Sequence, residues 1–177
     1  MGAELKYAGY DAVAIQGKAK KPSYLWIDND DIQLRAADHL WGKTTGETRR
    51  AIESEIGDPE AQVVSIGPAG ENLVKFASII SGVGRAHGRC GMGAVMGSKN
   101  LKAIAVRGTK GVKVADPVAL EKAIQEMYEL YHEEPVFCKS FTTYGTLRLR
   151  SVITGNGGGP TKNYQTGVFD EAQRLSP

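Results

Sequence analysis

From Asn72 to Ala115 the chain contains no aspartate and no glutamate, so no nearby acid in the sequence opposes Lys75, Arg85, Arg89, Lys99, Lys102, Arg107, Lys110 and Lys113. Cysteine is nearly as scarce, with Cys90 and Cys138 the only two. Two thiolates cannot by themselves complete a structural zinc site or an iron–sulfur cluster. A single pair also gives no disulfide framework of the kind that marks an oxidising compartment. No apolar run approaches the roughly 20 residues that span a bilayer. Met1–Lys20 has neither the charged start nor the apolar core of a secretory leader. A cytoplasmic, reduced protein without a membrane partner is expected. His39 and His132 have no neighbours at metal-ligand spacing. The run Asp28–Asp31 lacks the glycine and distal glutamate of a calcium loop, so it reads as a hairpin turn and no metal ligand is assigned.

Glycine is what the chain has in excess, 22 of 177 residues, gathered mainly at 82–97 and 155–159. The first cluster surrounds Arg85 and Arg89. Glycine lets backbone N–H groups approach a ligand closely, and arginine grips phosphate with two prongs. Together they indicate a site for an anionic, phosphate-bearing small molecule. The standard nucleotide motifs do not fit. Gly82-x-Gly84-x-x-x-Gly88 and Gly91-x-Gly93-x-x-x-Gly97 each miss the dinucleotide fingerprint by one residue, and Gly97-Ser98-Lys99 lacks the Gly-Lys pair of a P-loop. The competing reading is a glycine-rich turn that lets elements pack, with its lysines in solvent. Cys90, three residues after His87, reads as a small loop residue in preference to a nucleophile, so no catalytic residue is assigned. A net charge of +2 and sparse aromatics beside Arg148 and Arg150 give no nucleic-acid footprint.

The length suits one domain or one and a half. Residues 12–15, 23–27, 32–35, 62–66, 74–80 and 101–107 read as strands. Tyr24, Trp26, Ile32 and Leu34 alternate as one face of a half-buried hairpin. Thr44 and Glu47 form a capping box for a helix over 45–56, ended by Gly57-Asp58-Pro59. A helical turn is expected over 94–98. Asp116-Pro117 starts a helix to about Tyr131, with Leu120, Ile124, Met127 and Tyr131 on its apolar face. Residues 155–163 read as a loop, and 169–175 as another helix start. The fold class is therefore α+β, mixed β-sheets with packed helices over 1–112, followed by a mostly α-helical segment over 113–177.

The run Arg85-Ala86-His87-Gly88-Arg89-Cys90-Gly91-Met92-Gly93-Ala94-Val95-Met96-Gly97-Ser98-Lys99-Asn100-Leu101-Lys102 closely resembles the pterin-contacting loop of tungsten-containing aldehyde:ferredoxin oxidoreductases. Other segments resemble that family in order: Glu4–Asp11, His39–Gly42, Ile66–Asn72, Tyr144–Thr146 and Pro160–Gln165. The resemblance implies an incomplete amino-terminal pterin-base domain and the start of a helical domain, as a fragment or split subunit. It implies Arg89, Cys90, Gly91, Met92 and Gly93 as pterin contacts, with Cys90 standing where relatives often carry Gly or Thr and not ligating metal. The implied cofactor is a tungsten-bis-pterin, with molybdenum as the alternative metal. A 4Fe-4S cluster belongs to the parent enzyme and is not ligated by this chain. The implied reaction oxidises aldehydes to carboxylic acids with ferredoxin as acceptor, and the implied partners are the remaining polypeptide, ferredoxin and a small aldehyde, with self-association into a homo-oligomer left open. A non-catalytic remnant and a tungsten subunit reducing aromatic acyl thioesters are the alternatives.

Overall fold

The computed structural model describes residues 1–133 and 135–175, with backbone alone at 135–137. The chain divides into two compact units, Met1–Lys113 and Val114–Pro177. In the first unit, α1 (Gly2–Tyr7) precedes β1 (Ser23–Asp28), β2 (Asp31–Ala36), α2 (Thr45–Ile56) and β3 (Gln62–Ser65). There follow α3 (Pro68–Glu71), β4 (Ile79–Ser81), β5 (Arg85–His87), α4 (Met92–Ser98) and β6 (Leu101–Arg107). The strands form one sheet in the order β2-β1-β6-β3-β4-β5. Only β1 and β6 run parallel, and the other neighbours are antiparallel. The unit is thus an α+β fold with a mixed sheet.

One core cluster joins Tyr24, Trp26, Leu40, Ile52, Val63 and Ala105. A second packs Ala8 of α1 on Ile27 and Val106, and a third joins Ile66, Met96 and Leu101. Burial pushes the Tyr24 phenol above its ordinary pKa; a hydrogen bond from Arg35 opposes the rise, and the Glu55 carboxylate adds to it. Arg107, at the end of β6, meets Glu4 of α1 at 2.9 Å and Asp58 at 2.8 Å. These contacts raise its pKa, the Glu4 bond being the largest cause.

The capping box forms as expected: the Glu47 N–H donates to Thr44 Oγ1 and the Thr44 N–H to Glu47 Oε2. Gly57, at φ 76°, closes the helix in the left-handed region. The hydrogen bond from the Thr44 hydroxyl, then that from its backbone, holds the Glu47 carboxyl below the usual range. A lowered carboxyl stabilises the fold fully above its unfolded pKa and loses that contribution as pH falls through the folded value. Thr44→Ala removes the cap oxygen and is expected to lower the urea midpoint at neutral pH, with the difference shrinking in acid. Urea unfolding at the two pH values measures this, and an unchanged midpoint at neutral pH would show the cap to be idle.

Several local expectations give way. Residues 12–15 form no strand. They belong to an irregular strap held by Lys99 Nζ on Gly17 O at 3.1 Å and Asn100 Nδ2 on Ala19 O at 2.7 Å. In the hairpin, Leu34 pairs with Leu25 and Ile32 with Ile27. That register sets Ile32 and Leu34 on the face opposite Tyr24 and Trp26, 52% and 63% exposed. The strand expected over 74–80 shrinks to β4, because Leu73 turns at φ 57° and the Ala77 carbonyl is taken by Gly93. β5 was not expected; it forms because β4 offers Arg85–His87 a free edge. The 94–98 turn extends to α4.

The second unit holds α5 (Pro117–Glu133), α6 (Pro135–Tyr144) and α7 (Arg150–Gly155). The expected apolar face of α5 is partly solvated, and no described residue of that helix is buried. Residues 172–175 form a 3₁₀ turn where a helix start was expected. Lys162, Asn163 and Tyr164 are three successive left-handed residues, closed by a bridge between Thr161 and Thr166.

Candidate functional site

The glycine cluster folds as a hairpin followed by a helix. Gly82, at φ 58°, turns β4 into β5, and the chain then passes through Gly88 and Arg89 to Cys90 at φ 64° and Gly91 at φ 62° before α4 begins. A left-handed conformation costs a non-glycine residue roughly 1–2 kcal/mol, and Cys90 carries that cost at an exposed position.

The glycines divide into two groups. A Cβ on Gly82 or Gly84 would meet nothing within 4 Å. One on Gly91 would lie 2.2 Å from Lys75 O, one on Gly93 2.7 Å from Ser78 O, and one on Gly97 1.9 Å from Gly70 O. These three are glycine because α4 is pressed onto 70–78, which is the packing reading of the cluster. Of the residues expected to contact pterin, Arg89, Cys90 and Met92 are exposed and Gly91 is half-buried. Gly93 is buried, and its N–H donates to Ala77 O at 2.9 Å. That amide is occupied inside the fold.

The cations divide in the same way. Lys102 pairs with Glu71, Arg107 with Glu4, Asp58 and Glu60, and Lys110 with Asp30. Lys99 is bonded to Gly17. The acid-free stretch is therefore opposed in space by acids from elsewhere in the sequence. Arg85, Arg89 and Lys75 are exposed, and their side chains make no hydrogen bond or ion pair with the described residues. Around them Phe76 is 81% and Val83 92% exposed. The result is an exposed sheet edge with unpaired guanidinium side chains and bare apolar side chains, suited to a ligand that is both anionic and flat or apolar.

His87 and Cys90, weighed as base and nucleophile, share no hydrogen bond; Cys90 and Cys138 are free thiols. Among the described residues no group of His, Cys, Asp and Glu could hold a metal, and no helix is long and apolar enough to cross a membrane. The pair Glu71–Lys102 went unassigned from sequence. Its signal was a lysine inside the apolar strand Leu101–Arg107.

This sheet, with its glycine-bearing edge, is the amino-terminal domain of a known enzyme family. Residues 1–108 match the family model described as "Aldehyde ferredoxin oxidoreductase, N-terminal domain", and the chain belongs to that family. It is 49% identical over 175 residues to the tungsten-containing aldehyde ferredoxin oxidoreductase of Thermococcus kodakarensis and equally to that of Pyrococcus furiosus. In both cases the match covers 99% of this chain and 29% of the relative. It is 36% identical to the P. furiosus "Aliphatic sulfonate oxidoreductase, WOR-like subunit", over 98% of this chain and 29% of that one. Among solved structures, the active-site complex BamBC of benzoyl coenzyme A reductase, in complex with 1,5-dienoyl-CoA, matches with a TM-score of 0.63 and 42% identity. That match covers 84% of this chain and 20% of the other.

Proposed function

We propose that this chain supplies one wall of a tungstopterin site in an enzyme that oxidises aldehydes to carboxylic acids in the cytoplasm. The observation that carries the reading is 49% identity over nearly the whole chain to tungsten-containing aldehyde ferredoxin oxidoreductases. The free guanidinium groups of Arg85 and Arg89, with no acid bonded to them, are chemically fitted to the phosphate of a pterin cofactor. In this reading Arg89 grips that phosphate, Met92 covers an apolar edge of the cofactor, and Cys90 and Gly91 hold the turn that presents Arg89. Gly93 contributes through packing, since its amide is engaged by Ala77. When bound, the tungstopterin supplies the two-electron redox centre. Electrons would leave for ferredoxin through a 4Fe-4S cluster that other cysteines hold, because Cys90 and Cys138 cannot hold one alone.

A second reading is favoured by the solved benzoyl coenzyme A reductase complex at 42% identity. In that reading the same wall serves a reductase of aromatic acyl thioesters. Turnover of an aldehyde against turnover of an aromatic acyl-CoA, by this chain purified with its native partners, separates the two.

Losing one charged hydrogen bond costs roughly 1.5–3 kcal/mol, about tenfold to a hundredfold in binding. Arg89→Ala is therefore expected to lower tungsten and pterin content per chain in the partner-bound protein by at least about tenfold at limiting cofactor. Normal occupancy in that variant removes Arg89 from the site. Absence of metal and pterin from the folded wild-type protein with its partners would identify a non-catalytic member of the family.

A further inference from the structure

We infer that the buried Glu71–Lys102 pair is the positioning device of the Arg89 loop, an inference that rests on the anion-site reading of that loop. Lys102 is the extra residue of a β-bulge: β1 pairs Ser23 with Leu101 and Tyr24 with Ala103, leaving Lys102 between them. Bulges re-aim side chains, and here the bulge accompanies a lysine that is 0% exposed within the fold. Lys102 Nζ donates to Glu71 Oε1, and to Lys43 O at 2.8 Å. The Glu71 side chain is 5% exposed, and its other oxygen accepts from the Gly42 N–H at 2.8 Å. Three separate pieces, β6, the 42–43 loop and the end of α3, are thereby tied at one point.

That point adjoins the surface on which the Arg89 loop is shaped. Gly70, next to Glu71, has no room for a side chain, because a Cβ there would lie 2.9 Å from Gly93 O. The same segment carries Lys75 O against Gly91 and the Ala77 carbonyl that accepts from Gly93. Residues 70–78 thus act as a mould for 91–97, and Glu71 fixes the mould to the sheet. A buried ion pair is a weak source of stability, since apolar residues of similar volume do as well or better. What an apolar pair lacks is direction: the charged bonds set where α3 sits, and through the glycine contacts where α4 and the preceding Arg89 sit.

The test compares wild type, Glu71→Leu/Lys102→Met and Arg89→Ala in the full chain. It reads thermal unfolding, amide exchange at Gly93 by NMR, and inorganic pyrophosphate affinity. The double variant is expected to melt no lower than wild type, while Gly93 exchanges at least about tenfold faster and the pyrophosphate Kd rises about tenfold. Wild-type Gly93 protection, or wild-type pyrophosphate affinity in a variant with faster exchange, overturns the inference. Should the double variant not fold, Glu71→Gln, which keeps an oxygen for the Gly42 N–H, is read in its place by the same two criteria. If Arg89→Ala leaves pyrophosphate binding unaltered, or wild type binds none, the anion-site reading falls, and Gly93 exchange alone then decides whether the pair sets the loop.

Discussion

Gly97→Ala is expected to destabilise the first unit by about 3 kcal/mol, at the upper end of what overpacking costs. The new Cβ would sit 1.9 Å from Gly70 O and 2.7 Å from Gly70 C. Both atoms are backbone, so no side chain can swing away. Relief requires α3 and α4 to separate, which loosens Met96 from Ile66 and Leu101 in the third core cluster. Gly84→Ala is the control, since a Cβ there meets nothing within 4 Å; its effect should stay within about 0.5 kcal/mol. Urea unfolding of both variants, followed by a probe of the first unit, gives the difference. Equal midpoints for Gly97→Ala and wild type would show that α3 and α4 are not in the contact described, and the mould argument would lose its footing.

How much of this was legible beforehand depended on the range of the interaction. The α2 cap needs only Thr44, Glu47 and Gly57, all within one short segment, and it was readable. So were the turn at Asp28–Asp31 and the strand Leu101–Arg107. The face of Ile32 and Leu34 was not, because it depends on the pairing register across the turn, and a register that pairs Leu25 with Leu34 reverses the simple alternation. β5 was invisible because Arg-Ala-His has no strand signature and takes its conformation from β4. The cationic run misled for the same reason. Its acids, Glu4, Asp30, Asp58, Glu60 and Glu71, all precede the run, and the side chains of Lys75, Arg85, Arg89 and Lys113 make no hydrogen bond or ion pair with the described residues. A glycine required by a ligand and one required by a neighbouring carbonyl also look alike in sequence. At 82–97, Gly82 and Gly84 stand in open space while Gly91, Gly93 and Gly97 meet neighbouring backbone. The family resemblance implies a pterin contact for the loop; the local pattern alone indicated only an anion.

Lys102→Met alone is expected to cost about 3–5 kcal/mol, because it leaves the Glu71 carboxylate buried opposite an apolar chain. Glu71→Leu alone should cost a similar amount by leaving the Lys102 ammonium without its counter-ion at 0% exposure. The double variant should recover both losses, since the penalty belongs to the unpaired charge and not to the missing pair. A double-mutant cycle by urea unfolding therefore carries a coupling energy close to the sum of the two single effects. Additive losses would mean that each side chain stabilises the fold through separate contacts. That result would leave Lys43 and Gly42 as the partners that matter, and would detach β6 from the position of α3. Recovery, by contrast, separates two properties that a structure alone presents together. The fold would then tolerate an apolar seam at this point, and the bulge that buries a lysine would be explained by the placement of Arg89.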